Sequence, residues 1–385
     1  MLSLMATTQD ETHLLFRESF RDFVGKEMTP HFHDWEAAGI MDREIYAKAG
    51  ANGFVGFNLP ESHGGGGSDD FRFNAIVNEE LQYAGLGGAG NGMTLVNDIL
   101  APYFTELCND EQKDRWLPGL ASGELISAVA MTEPGTGSDL ASIATRAVRD
   151  GDEYVVNGAK TFITNGINAD LVVTVVRTDP DAGRHGLSLL VIERGMEGFE
   201  RGRNLDKIGQ KSADTAELFF TDVRVPAANL LGDEGNAMAY LTGNLPQERL
   251  SLAIGGVAVA EAALQWTVDY VKERTAFGAR IADFQNTKFT LAECETELAV
   301  ARPYMADCIA RHNAGEFSAA DAAKAKLWAT ELQGRITDKC LQLFGGYGFM
   351  TEYPISLAYA DARVARIYGG TSEIMKTIIA KEVLS

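Results

Sequence analysis

The sequence predicts a mostly α-helical protein with a central β domain, in the order helical domain, small antiparallel β-barrel, four-helix bundle. Three observations predict it. Helical periodicity runs to about residue 125, and short segments rich in Val, Ile, Thr and Phe, separated by Gly, Asn and Asp, fill about 126–235. Long alanine-rich amphipathic stretches then occupy the remainder. The expected domains are 1–125, 126–235 and 236–385, since 385 residues exceed one ordinary core.

In the first zone, HLLFRESFRDFVGKEM sets Leu14, Leu15, Phe20 and Phe23 on one predicted helix face. DREIYAKAGANGFVG continues as a helix stopped by glycine, and FRFNAIVNEELQYAGL and DEQKDRWLPGLASGEL follow as helices. Between them ESHGGGGSDD, residues 61–70, reads as a flexible loop, without the spacing of a phosphate cradle. In the second zone ISAVAMT, EYVVNGAKTFITNG, DLVVTVVRTD, HGLSLLVIERG and AELFFTDVRVP read as strands, with Asn157–Gly158 and Asn165–Gly166 as hairpin dipeptides. No helical pattern alternates with them, which favours an antiparallel barrel or sandwich over a βαβ nucleotide fold. Four helical stretches with short connections make the third zone a bundle.

A formal net charge of −20 argues against a nucleic-acid or anionic-membrane surface. Cys108, Cys294, Cys308 and Cys340 are far apart and match no metal or CxxC spacing, so reduced thiols and no metal site are expected. No run approaches the roughly 20 apolar residues of a membrane span. MLSLMATTQDE lacks a basic leader region, which argues against a secretory signal, and a cytoplasmic location is expected.

Several short motifs carry chemistry, each with a plain structural alternative. ISAVAMT runs into TEPGTGSD, a loop of small hydroxyl residues whose backbone N–H groups can approach a ligand or form an ordinary turn. In KTFITNG, Phe162 and Thr164 share one strand face, as cofactor contact or as cross-face packing. RTAFG ends a long helix, as a C-terminal cap or as an arginine for a pyrophosphate. CLQLFGGYGFMTEYP sets glycines behind Gln342 and Phe344, allowing close backbone approach.

In this order, MTEPGTGSD, KTFITNG, ERTAFG, LQLFGGYGF and IYGGTSEI resemble the acyl-CoA dehydrogenase family over essentially the whole chain. The resemblance implies FAD, with Val129, Met131, Thr132, Gly137, Ser138, Phe162 and Thr164 along its ring. Phe162 stands where the family usually has Trp, which loses an N–H donor. It implies that Arg274, Phe277 and Gln285, with Gln342, Gly345 and Gly346, meet the FAD of a neighbouring subunit. Thr371 and Glu373 fall beside the nucleotide half. A homotetramer built as a dimer of dimers, an acyl-CoA substrate and an electron-transfer flavoprotein as acceptor are implied as well.

The family's reaction needs a carboxylate near the carbon beside the thioester. Many members carry it where this chain has Gly369. In the long-chain and isovaleryl branches it precedes an arginine on the helix opening the last domain, and here Glu248 precedes Arg249 in NLPQERLSLAIGG. The resemblance therefore implies Glu248 as base, with Ser138, Gln247, Arg249, Gly369 and Gly370 on the substrate. From the residues alone, Asn244 as cap and Pro246 in a first turn would make Glu248 a helix-dipole acid. Glu133 reads as an acid that ties its own loop together. The expected reaction is α,β-dehydrogenation of a long-chain acyl-CoA. The alternatives are an isovaleryl-type substrate, an acyl-CoA oxidase, or a catalytically silent FAD- or CoA-binding subunit.

Overall fold

A computed structural model describes residues 9–385; most of the MLSLMATTQDE stretch, on which the expectation about a secretory signal rests, lies outside them. Seven helices come first: α1 (Glu11–Phe23), α2 (Phe32–Ala38), α3 (Glu44–Ala51), α4 (Phe71–Tyr83), α5 (Gly87–Thr94), α6 (Ala101–Leu107) and α7 (Asp110–Ser122). Asp10 opens α1 through a capping box with His13, satisfying backbone donors that the first turn leaves free. The buried face of α1 is His13, Arg17, Phe20 and Phe23, while Leu14 and Leu15 are more than half exposed, contrary to the sequence reading. The cause is Arg17, drawn inside by Glu79 and Glu80 of α4, which turns the side of the helix that carries it, and not Leu14 and Leu15, toward the interior.

The glycine run after Glu61 is held firmly rather than loose. Gly65, Gly66, Gly67 and Ser68 donate to Pro60, Gly56, Leu59 and Phe57. A Cβ added at Gly65 would lie 2.2 Å from the Leu59 carbonyl oxygen, so these glycines serve close backbone approach.

The strands are β1 (Ser127–Ala130), β2 (Arg146–Asp150), β3 (Glu153–Thr164), β4 (Leu171–Arg177), β5 (Leu187–Glu193), β6 (Phe199–Asn204), β7 (Thr215–Pro226) and β8 (Leu230–Leu231). They form one sheet in the order β6-β7-β3-β2-β4-β5-β8, with β1 added on β4. Most pairings are antiparallel, but β1 and β2 each meet β4 in parallel. Asn157–Gly158 makes no hairpin: it sits inside β3 at a register shift against β7, where Gly158 backs onto Thr145. One sheet face packs on Leu100, Tyr103, Trp116 and Leu117 of the first domain. The opposite face forms its own core around Tyr154, Phe199 and Phe220.

The last domain holds α8 (Ala237–Glu273), a hairpin of β9 (Thr275–Ala276) and β10 (Ala279–Arg280), α9 (Gln285–Asn313), α10 (Ala319–Phe344), α11 (Pro354–Ala362) and α12 (Ser372–Val383). Helix α8 is long and apolar enough by composition to cross a membrane, yet its apolar window is 72% buried, because it is the core helix of the bundle. It packs on α4, α9 and α10 around Leu250, Ile254, Leu298, Met305 and Leu332. It also starts well before Asn244 and passes through Pro246, so neither residue opens a helix.

At the end of α7, Gly123 has φ 73, and a Cβ there would lie 2.0 Å from the Tyr46 carbonyl oxygen. Gly123→Ala is expected to lower stability by about 2–4 kcal/mol through combined backbone strain and overlap. Thermal melting of the purified variant checks this.

Candidate active site

Three consecutive residues of α8 each reach a different part of the molecule. Gln247 donates through Nε2 to the Asp98 carbonyl oxygen at 2.6 Å, and its Oε1 lies 3.1 Å from Nε2 of His312. Glu248 accepts from the Tyr103 hydroxyl at 3.2 Å. Arg249 donates through Nε to the Gly369 carbonyl oxygen at 3.2 Å. The helix is thereby pinned to the first domain on one side and to the IYGGTSEI segment on the other.

Glu248 is 4% exposed. Burial pushes its carboxyl up to about 7, opposed by the Tyr103 hydrogen bond and the nearby Arg249 charge. It lies three turns inside α8, beyond the first turn in which a helix dipole steadies an acid. Arg249 is buried too, and burial lowers its guanidinium. Lys326, fully buried on α10, donates to the Gly370 carbonyl oxygen at 2.8 Å, and burial with Arg249 close by pushes its ammonium down to about 8. Two cations thus grip consecutive carbonyls of the Gly369–Gly370 turn.

Gly369 has φ 63 and Gly370 φ 97, backbone that side chains rarely adopt. A Cβ at Gly369 would lie 2.4 Å from Leu252 Cδ1, one turn along α8 from Glu248. Among the described residues no backbone carbonyl accepts the Gly369 N–H. Thr371 caps α12 by accepting from Ile374 N, and Glu373 stands exposed in its first turn.

The TEPGTGSD loop is built around a buried ion pair. Lys160, fully buried, donates to Glu133 Oε1 at 2.9 Å and to the Met131 carbonyl oxygen at 3.0 Å. Burial pushes Lys160 down to about 8, with Glu133 opposing. Glu133 also accepts from the Ala144 and Thr145 N–H groups, so it ties its own loop as the sequence suggested. Thr161 N donates to Thr132 O at 2.9 Å, joining the loop to β3 beside a bulge. There Phe162 sits at φ 60 and is 68% exposed, so it and Thr164 do not simply alternate along one flat face.

This region fits a planar, carbonyl-rich group. Strained backbone presents an aromatic ring outward at Phe162. A Cβ added at Gly135 or Gly137 would meet nothing within 4 Å, so that backbone is open to approach, and Ser138 stands exposed next to it. Val129 and Met131, partly buried, pack on the cluster that contains Tyr103, which links this loop to the Glu248 end of α8.

Arg274, Phe277, Gln285, Gln342, Gly345 and Gly346 gather elsewhere. Arg274 caps α8 with its backbone and sets its guanidinium 5.4 Å from the Tyr347 ring centre, joining the hairpin to the end of α10. Phe277, at φ 52, is 99% exposed on the hairpin tip. Along α8, Arg274 lies roughly 39 Å from Glu248 at 1.5 Å per residue. That group of expected cofactor residues therefore stands well apart from Glu248 along the helix.

Sequence reasoning missed Tyr103, Lys160, Leu252 and Lys326. Lys160 had a usable signal, sharing the inward parity of Tyr154 and Val156 on β3. Tyr103 had none, being 145 residues from its partner.

Models of the acyl-CoA dehydrogenase N-terminal, middle and C-terminal domains match residues 10–124, 128–223 and 235–384. The long-chain specific acyl-CoA dehydrogenase of Sus scrofa mitochondria is 46% identical over 97% of this chain and 86% of its own. A crystal structure of an acyl-CoA dehydrogenase from Geobacillus kaustophilus superposes with a TM-score of 0.96 at 49% identity, covering 98% of this chain and 99% of that one. A glutaryl-CoA dehydrogenase from Mycobacterium smegmatis in complex with FADH2 superposes at 0.90 with 26% identity, covering 97% and 95%. The chain belongs to the acyl-CoA dehydrogenase family, FAD-dependent oxidoreductases that act on CH–CH donors.

Proposed function

We propose that the protein dehydrogenates a long-chain acyl-CoA to the trans-2-enoyl-CoA, with Glu248 as the base and an electron-transfer flavoprotein as electron acceptor. One observation carries the reading: a buried carboxyl poised near neutrality and held by Tyr103, next along α8 to the Arg249 that grips the Gly369 carbonyl. A base works best when its value lies near the working pH, and desolvation supplies that shift here. Glu248 takes the proton from the carbon next to the thioester carbonyl. The free Gly369 N–H donates to the thioester oxygen as negative charge builds there. Arg249 holds the turn through the Gly369 carbonyl, and Lys326 steadies it through Gly370. Gln247 keeps the helix seated against Asp98.

FAD, once bound, supplies the hydride acceptor for the neighbouring carbon. Val129, Met131, Thr132, Gly137, Ser138, Phe162 and Thr164 would hold its ring, and Thr371 and Glu373 its nucleotide half, while Ser138, Gln247, Gly369 and Gly370 would also meet substrate. Arg274, Phe277, Gln285, Gln342, Gly345 and Gly346 would reach the FAD of a second subunit. Their distance along α8 from Glu248 supports this, as do the exposed Phe277 and Phe349 at that end. A homotetramer follows as the proposed assembly.

Glu248→Gln is expected to cut anaerobic flavin reduction by a long-chain acyl-CoA by about a thousand-fold. Flavin bleaching at the wild-type rate would end the role of Glu248. The same variant tests the electrostatics. A carboxyl raised in the folded state stabilises it fully below the unfolded value of 4.5, and that contribution is lost as pH rises through about 7. Glu248→Gln is therefore expected to be more stable than wild type at pH 8, by about 3 kcal/mol from the size of the shift, with little difference at pH 4. Thermal melting at both pH values reads it.

Tyr103→Phe removes a donor to the ionised carboxylate, so the value of Glu248 rises further. The acid limb of the kcat/KM profile is expected to move up by about one pH unit. A profile that stays in place would show that Tyr103 does not set the base. Lys160→Met is expected to weaken flavin retention, read as a lower ratio of flavin to protein absorbance after gel filtration, because Glu133 and Met131 then lose the cation that shapes their loop.

A further inference from the structure

We propose that Asp98 is a positioning residue for the reaction: its side chain and its backbone together clamp the turn of α8 that carries Glu248. This role rests on the reading of Glu248 as the base, and adds the group that fixes where its carboxyl stands. Asp98 touches that turn at both ends. Its carbonyl oxygen accepts from Gln247 Nε2 at 2.6 Å, and its carboxylate Oδ2 accepts from the Ser251 hydroxyl. Residues 247 and 251 lie one turn apart on the same face of α8, with Glu248 inside the interval. Gln247 is also met from the α9 side by His312, whose Nε2 lies 3.1 Å from Gln247 Oε1.

An irregularity in the chain places Asp98 for this. Between α5 and α6, Leu95–Leu100 form a π-helical stretch, with the Ala101 N–H donating to the Val96 carbonyl oxygen. Two carbonyls of that stretch take side-chain donors. Asn97 O accepts from Asn58 Nδ2 at 2.6 Å, and Asp98 O accepts from Gln247. In an α-helix, residues five apart point about 140° away from each other. A turn that bonds residues five apart brings them toward one side. Asp98 and Tyr103, five apart across the end of this stretch, both reach α8, at Ser251 and at Glu248.

Position 98 also calls for a carboxylate. Asp98 is fully buried, and its Oδ1 accepts from Asn74 Nδ2 and its Oδ2 from Asn78 Nδ2, each at 2.7 Å. With Ser251, three donors converge on two oxygens that carry no proton to clash with them. An amide there would set one N–H against another and leave a buried donor without its partner. Burial pushes the Asp98 carboxyl up to about 6, with Ser251, Asn74 and Asn78 opposing the rise.

The test is anaerobic single-turnover flavin reduction by palmitoyl-CoA, with FAD-loaded wild type, Asp98→Asn and Ser251→Ala. Gly123→Ala, weakened at the end of α7, is run beside them as a destabilised comparison. Misplacing a reacting group by about 1 Å costs on the order of a hundred-fold in rate. The saturating rate of flavin reduction is therefore expected to fall about ten- to a hundred-fold in Asp98→Asn, and by a smaller factor in Ser251→Ala. The substrate dissociation constant from the same titration is expected to stay within about three-fold of wild type, since the loss falls on the transition state. Gly123→Ala is expected to reduce its flavin at the wild-type rate. Wild-type rates in both Asp98→Asn and Ser251→Ala would overturn the positioning role and leave the dehydrogenase reading standing. An equal slowing in Gly123→Ala would overturn it too, because general loosening would then account for the loss. If Asp98→Asn fails to retain FAD, Ser251→Ala decides by the same criteria. If palmitoyl-CoA leaves the wild-type flavin oxidised, the long-chain acyl-CoA reading falls and the role of Asp98 with it.

Discussion

Removing one carboxyl group from water governs the architecture around it. Among the described residues no cation is bonded to the oxygens of Glu248, and the Tyr103 hydroxyl donates to one of them. In such surroundings the charged form is costly, which moves its value up to about 7. Holding it there requires that the backbone stay rigid and dry. The protein achieves both by placing Glu248 deep inside a 37-residue helix and fastening the residues on either side to opposite walls. A surface loop would leave the same side chain solvated and its value ordinary.

The Gly369 turn is the counterpart of that arrangement. Its two positive φ angles aim the carbonyls of Gly369 and Gly370 at buried Arg249 and Lys326 and leave the Gly369 N–H free. Leu252 fills the space that a side chain at position 369 would need. A side chain at 369 would therefore bring backbone strain and require the Leu252 side chain to move aside.

Buried charge recurs as the means of shaping this molecule. Lys160 with Glu133 bends the TEPGTGSD loop. Arg17 with Glu79 and Glu80 fixes the face of α1. Asp98, raised to about 6 by burial, gathers Asn74, Asn78 and Ser251 between α4 and α8. Breaking one such pair strands the partner in a low-dielectric interior, which makes these contacts effective at holding a single geometry.

Composition and periodicity determined the three successive textures, because hydrophobic spacing reports helix or strand locally. They also marked the TEPGTGSD loop, and Glu133 could be read as its tie from its place before Pro and Gly. The resemblance to the family, and not the residue pattern alone, pointed to Glu248 beside Arg249 with a glycine at 369. Local pattern misjudged the face of α1, the start of α8 and the dipeptide Asn157–Gly158. In each case a long-range partner decided the outcome: Glu79 and Glu80 for α1, the bundle core for α8, β7 and Thr145 for the strand. What only the tertiary structure decided is the environment of the site. Tyr103 reaches Glu248 across 145 residues, and Leu252 closes on Gly369. Desolvation and packing depend on everything that surrounds a group, and no stretch of neighbouring sequence contains that information.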